Sequence, residues 1–99
     1  MEVEFRTNSL RRCYQDFASG SKMWGVKIAR AYIRRVEIIH AATHIRDLYT
    51  IRALRLHQLK GRREGQHAVD LDQQWRVIIT HIEAEAKVVV MEVTNHYDD

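Results

Sequence analysis

Two periods divide the chain. Up to Tyr49 the apolar residues recur mostly at three- and four-residue spacings, and after Thr50 they alternate. The first spacing marks the buried stripe of a helix, the second the buried face of a strand. The opening is an exception: Val3 and Phe5 sit between Glu2, Glu4 and Arg6 and predict a short strand at a sheet edge. Leu10, Cys13, Tyr14 and Phe17 then make one stripe, which predicts a helix over about 10–18 capped by Asn8 or Ser9. Gly20 is expected to end it and Ser21 to cap the next. A second helix is expected over about 23–42, with Trp24, Ile28, Ala31 or Tyr32, Val36 and Ile39 on its apolar side. Lys27, Arg30, Arg34 and Arg35 fall largely off that side. A short further turn, capped by Thr43, takes in Ile45, Leu48 and Tyr49.

Strands are expected over about 53–59, 66–71, 75–82 and 87–95. Asp72-Gln73-Gln74 is a short polar turn between two of them, and Glu83 to Ala86 a looser connection. Such short links imply antiparallel neighbours. Val77-Ile78-Ile79 and Val88-Val89-Val90-Met91 are almost wholly apolar, as central strands are. The expected fold is α+β: an N-terminal helical hairpin packed on one face of an antiparallel sheet, in a single domain over 1–99.

Composition narrows the partner more than the fold. With 45% apolar and 29% charged residues the chain reads as globular. It has no proline and no Ser- or Gly-rich run that would make a linker, and no leader-like or membrane-spanning apolar run. Cys13 is the single cysteine, which rules out a disulfide framework or a Cys-based zinc site and favours a reducing cytoplasm. The net charge of +3 conceals an asymmetry. Residues 1–64 carry 14 Lys and Arg against 6 Asp and Glu, whereas residues 65–99 carry 2 against 7. A basic half suits a polyanionic partner, nucleic acid or an acidic protein; it is equally the mark of a solvated helix face.

The chemistry-bearing residues concentrate in 54–65. Arg55, His57, Lys60, Arg62 and Arg63 fall on one strand end and the turn that Gly61 and Gly65 make. An imidazole titrates near neutrality and the cations hold phosphate. Arg76 stands alone in the run Trp75-Arg76-Val77-Ile78-Ile79 and must meet solvent, an anion or a carboxylate on a neighbouring strand. Asn95-His96-Tyr97 close the last strand with groups that hydrogen-bond and transfer protons; a frayed tail is the plainer reading. His40 and His44 have the helical spacing of a metal pair, but no third ligand stands near them. Trp24 and Tyr32 could stack on bases, yet their place on the stripe makes them core; Trp75 is open between the two.

These residues carry a resemblance. Leu56-His57-Gln58-Leu59-Lys60-Gly61-Arg62-Arg63-Glu64-Gly65-Gln66, Trp75-Arg76-Val77-Ile78 and the closing Glu92-Val93-Thr94-Asn95-His96-Tyr97-Asp98-Asp99 resemble, in the same order, three motifs of the HigB-like toxins of the RelE/ParE superfamily, the toxin halves of type II toxin–antitoxin pairs. Trp24-Gly25 and the helix after it also fit. The resemblance implies a RelE-like fold and a ribosome-dependent mRNA endonuclease working in the A site, with attack by a ribose 2′-hydroxyl on the adjacent phosphate and no metal or other cofactor. It implies catalytic roles for His57, Arg76, His96 and Tyr97, and RNA-binding roles for Arg55, Lys60, Arg62 and Arg63. Its implied partners are the 70S ribosome with mRNA and a cognate HigA-like antitoxin, a helical DNA-binding protein. The pair would form a heterotetramer that meets DNA only through the antitoxin. No membrane is implied. Two departures stand out: Gln58 replaces a usual proline, and Asn95-His96-Tyr97 stands where the best-known branch reads Asp-Tyr-His, so an Asp to orient the imidazole is missing. The same superfamily holds ParE-like inhibitors of DNA gyrase, and a member that only binds its antitoxin would share the fold as well.

Overall fold

The computed structural model describes residues 1–96. Strand β1 (Glu2–Phe5) is followed by three helices, α1 (Asn8–Gln15), α2 (Phe17–Trp24) and α3 (Val26–Ala41), and by a short α4 (Ile45–Tyr49). The remainder is β2 (His57–Gln58), β3 (Gln66–Asp70), β4 (Arg76–Ile82) and β5 (Lys87–Thr94), with single 3-10 turns before β2 at 52–54, between β2 and β3 at 61–63 and between β4 and β5 at 83–85. The strands form one sheet in the order β1-β5-β4-β3-β2. From β2 to β5 the pairing is antiparallel, as the short links require. β1 adds a parallel pair, Val3 opposite Val88 and Phe5 opposite Val90. Four helices and three strands separate it from β5 in the chain, so parallel entry is allowed.

The helices cover one face of the sheet. Ile28, Tyr32, Val36 and Ile39 of α3 bury themselves against Val69, Val77, Ile79, Val88 and Val90. Tyr32 is wholly buried and gives its hydroxyl to the carbonyl of Leu10 at 2.8 Å, tying α3 to α1. Burial drives its phenol pKa far upward. Trp24 meets Tyr32 edge to face with ring centroids 5.0 Å apart, so both aromatics are core packing. Trp75 also packs against this core.

The N-terminal helices differ from the expected hairpin. Thr7, not Asn8 or Ser9, caps α1, its hydroxyl accepting the Leu10 amide at 3.1 Å. The chain breaks at Asp16, where the backbone is extended, and again at Gly25. Gly20 ends nothing: it lies inside α2, where an added Cβ would stand 3.2 Å from that of Ala29. It is a close-packing residue. Gly25 is the breaker, with φ of 87° and ψ of 165°, a region that L side chains avoid. Open space surrounds it, so Gly25→Ala meets no clash and only backbone strain. That variant is expected to lose about 1–3 kcal/mol in denaturant melts; an unchanged midpoint would show that the α2–α3 corner relaxes freely.

The 53–59 strand is also shorter than its alternation suggests. Leu54 and Leu56 are buried and Arg55 exposed. That alternation comes from a 3-10 turn ending at Arg55 in the left-handed region, φ 45°, and only His57 and Gln58 join the ladder. His44 rather than Thr43 precedes α4 as its cap residue, its amide donating to the Asp47 carboxylate at 3.0 Å. Among the described residues no helix is long and apolar enough to cross a membrane.

Candidate functional site

The face of the sheet turned away from the helices brings the predicted residues together. Its floor is apolar and small: Leu59, Ala68 and Ile78, with Met91 packed against them. The ladder sets polar groups around this floor in rows. Arg76, at the start of β4, stands opposite Asp70 on β3 and Thr94 on β5. In the next row His57 stands opposite Ala68, Ala68 opposite Ile78, and Ile78 opposite Glu92. His57 and Arg76 are thus two strand spacings apart across the sheet and one same-face step apart along it, about 12 Å in all, with the small Ala68 on the floor between them. A β-bulge at Ile78/Ile79 sets this register on the β5 side.

His57 is held in a defined orientation. Its Nδ1 lies 2.8 Å from the carbonyl oxygen of Arg55. A carbonyl only accepts, so Nδ1 carries the proton and the neutral ring presents Nε2 as an acceptor. The left-handed backbone at Arg55 lies at the root of this contact, and the Arg55 side chain reaches across to Asp70, Nε to Oδ2 at 3.6 Å. That pair is largely solvated on the arginine side, so it orients rather than stabilises.

Arg76 is only 7% exposed. Of the partners left open for it in the sequence, the ladder supplies a carboxylate residue on the neighbouring strand, Asp70, directly opposite. Asp70 is itself anchored, since Arg35 of α3 donates Nε to its carbonyl at 2.8 Å. On the other side His96 follows β5 closely, and its amide donates to the Thr94 hydroxyl at 3.1 Å. This bond holds the exposed His96 at Arg76's end of the sheet. Tyr97 lies outside the described residues.

The cations of the turn divide. Lys60 and Arg62 are exposed beside the floor, on the turn that Gly61 opens with φ of 66°. Arg63 is drawn onto the sheet face instead, in close contact with the Glu92 carboxylate and giving Nη1 to the Gln66 side chain at 3.2 Å. Asp70, Thr94, Glu92 and Gln66 were not signalled by the sequence. Register sets Asp70 and Thr94 opposite Arg76, an ion pair joins Glu92 to Arg63, and Gln66 meets Arg63 locally across the turn. His40 and His44 do not assemble a site: His40 bonds through Nδ1 to the Met1 carbonyl at 3.0 Å, and both rings are on exposed residues. A cavity of about 580 Å³ lies beside the cleft, between α3 and the β3–β4 turn; of the predicted residues only Arg55 lines it.

His67 is a histidine the sequence did not single out. It lies on the helix side, opposite Ile79 and Gln58, with a buried Nδ1 that has no hydrogen-bond partner. Burial pulls its pKa below the ordinary value of 6.5, and His81 and His57 add to the effect. The unfolded chain therefore binds the proton first as the pH falls. Stability that rests on the neutral ring is complete above the unfolded pKa and is lost on acidification. Thermal melts between about pH 7 and pH 5 should show a shallower decline for His67→Gln than for the wild type. Parallel declines would place the acid sensitivity elsewhere.

A five-stranded sheet with helices packed on one face is a fold shared with solved toxin structures. The YoeB/ParE toxin from Agrobacterium tumefaciens superposes with a TM-score of 0.60 at 15% identity, covering 98% of this chain and 100% of its own. YafQ from E. coli strain BL21(DE3) gives 0.63 at 7% identity, with coverage of 96% and 92%. The YoeB–YefM complex from Staphylococcus aureus gives 0.59 at 13% identity, with 98% of each chain covered. A comparison with curated proteins finds no match. The family model for the RelE-like toxin of the type II toxin–antitoxin system HigB matches residues 3–96, and the chain belongs to this HigB-like toxin family.

Proposed function

We propose that the protein is a ribosome-dependent endoribonuclease that cuts mRNA in the A site and so stops translation. The observation that carries this reading is the orientation of His57, whose Nδ1 is engaged by the Arg55 carbonyl so that Nε2 is turned outward on the same side of the sheet as Arg76. The reaction is attack of a ribose 2′-hydroxyl on the adjacent phosphorus. The oxygen–phosphorus bond forms as the bond to the 5′-oxygen breaks, leaving a 2′,3′-cyclic phosphate and a free 5′-hydroxyl. His57 Nε2 takes the proton of the 2′-hydroxyl. Arg76, with its planar fork of donors, neutralises the charge that gathers on the phosphate oxygens. His96, or Tyr97 beyond it, returns a proton to the leaving oxygen. Lys60 and Arg62, with Arg55 and Arg63 at the margins, hold the flanking phosphates. Every proton and charge in this scheme is assigned to a side chain, so it calls on no metal or other cofactor.

The separation of His57 from Arg76 suits a substrate spread flat on the sheet face, and the ribosome supplies a message in that extended form. Two supports favour a protein partner in the cell. The family is the toxin half of a type II pair, and a further structural neighbour, RelBE2 from Mycobacterium tuberculosis, is a toxin–antitoxin complex. On that basis the partner is a HigA-like antitoxin in a heterotetramer, with DNA reached only through the antitoxin, in the cytoplasm. A paired assay tests the reading against the gyrase-inhibitor alternative. Purified protein is expected to stop cell-free translation and to leave supercoiling by DNA gyrase intact. Inhibited supercoiling with translation intact would reverse the assignment.

A further inference from the structure

The outer side of α3 carries a groove that the proposed chemistry does not use. Its volume is about 540 Å³. Lys27, Arg30, Arg34 and Arg35 form its walls, and Val26, Ala31 and Leu71 its apolar part. Lys27, Arg30 and Arg34 recur at helical spacing, spanning about 10 Å along the axis. Their charge is weakly answered. Lys27 pairs with Asp72 at 3.8 Å with its side chain 82% exposed, and Arg35 is spent on the Asp70 carbonyl. Arg30 lies over the Phe17 ring at 5.7 Å. Among the described residues no carboxylate pairs with Arg30 or Arg34. Val26 is half-exposed inside this cationic frame, with Phe17 and Met23 of α2 exposed on the helix before it.

We propose that this groove binds an acidic, amphipathic helical segment of a partner protein, which sets apolar side chains on Val26, Ala31 and Leu71 and carboxylates against Lys27, Arg30 and Arg34. Charge complementarity fixes the sign of the partner, and the apolar part fixes its kind. A nucleic acid would satisfy the cations but would press phosphate and sugar onto Val26 and Leu71. It would also lack a ring to stack on within the groove, where Phe17 is covered by Arg30. An amphipathic helix satisfies both at once. The groove meets the neighbouring cavity at Lys27, Arg35 and Leu71, and that cavity extends to Arg55 and Asp70. A segment seated on α3 therefore has a path to the margin of the sheet cleft. The inference concerns binding alone and stands whether or not that cleft cuts RNA.

The test uses the full chain and a fluorescein-labelled peptide of α3's length, 16 residues, with leucines along one helical ridge and glutamates flanking it. Fluorescence anisotropy is read beside a scrambled peptide and a single-stranded RNA of equal length. The amphipathic peptide is expected to bind, and Arg30→Glu with Arg34→Glu to weaken it at least about tenfold. Lys60→Glu with Arg62→Glu should leave it unchanged. Both groove positions are exposed, so folding is checked by circular dichroism, and Val26→Asp gives a second reading without altering the cations. No binding, equal binding of the scrambled peptide, or binding that survives the charge reversal would overturn the proposal. So would RNA binding that the reversal abolishes while the peptide stays unbound.

Discussion

His57→Gln is expected to slow message cleavage by about 10²–10⁴-fold, the usual worth of positioned acid–base assistance. Glutamine keeps a donor for the Arg55 carbonyl and similar bulk but has no nitrogen that takes a proton near neutrality. The fold should hold, because His57 lies in a two-residue edge strand and its ring rests partly in solvent. The informative readout is the cleavage rate under single turnover beside the affinity for the programmed ribosome. The variant should bind as the wild type does and cut slowly. An unchanged rate would move the base to His96 or Tyr97. A lost rate together with lost binding would give His57 a positioning role only.

The second large effect is at Arg76. Arg76→Ala is expected to cost about 10²–10³-fold in cleavage, the size seen when one preorganised charge or donor at a reacting oxyanion is removed. Arg76 is buried, so alanine also disturbs the row it shares with Asp70 and Thr94. Asp70 then keeps its Arg55 contact but loses the cation opposite it in the ladder. Arg76→Lys separates the two effects. Lysine preserves the charge and most of the stability yet lacks the planar fork that grips a phosphate through two donors. Near-native melting with cleavage reduced at least about tenfold identifies the fork as the functional feature. Full activity in the lysine variant would reduce Arg76 to a charge, and unfolding of both variants would make it structural.

Much of this frame was legible before the structure. β3, β4 and β5 lie within a residue or so of the expected strands because their alternation is sustained and one face is buried. α3 follows its stripe through Ile28, Tyr32, Val36 and Ile39 for the same reason. The failures are local backbone events. The break at Asp16 and the left-handed turn at Arg55 fall on residues with no strong conformational signature, and the Gly20–Gly25 exchange turned on which glycine had a neighbour at its Cα. The parallel pairing of β1 joins residues far apart in the chain, which no periodicity encodes.

The site divides in the same way. His57, Lys60, Arg62 and Arg63 were visible because they crowd one short stretch, and Arg76 because it interrupts an apolar strand. Their surroundings were not, because partners such as Asp70 and Thr94 are chosen by strand register. That register depends on a bulge facing Ile78/Ile79, where Met91 of β5 is the extra residue and nothing in Val90-Met91-Glu92 marks the slip. His67 shows the same limit from the other side, since nothing in the strand pattern says that its Nδ1 lacks a partner.

Cleavage of mRNA in the ribosomal A site is assayed by adding the purified protein to 70S ribosomes programmed with a defined message and, in parallel, to the naked message. Primer extension then maps the ends. Cuts are expected only in the ribosome-containing reaction, confined to the codon in the A site, with 2′,3′-cyclic phosphate and 5′-hydroxyl termini. Intact message in both reactions would contradict it, and equal cutting of the naked RNA would contradict its dependence on the ribosome.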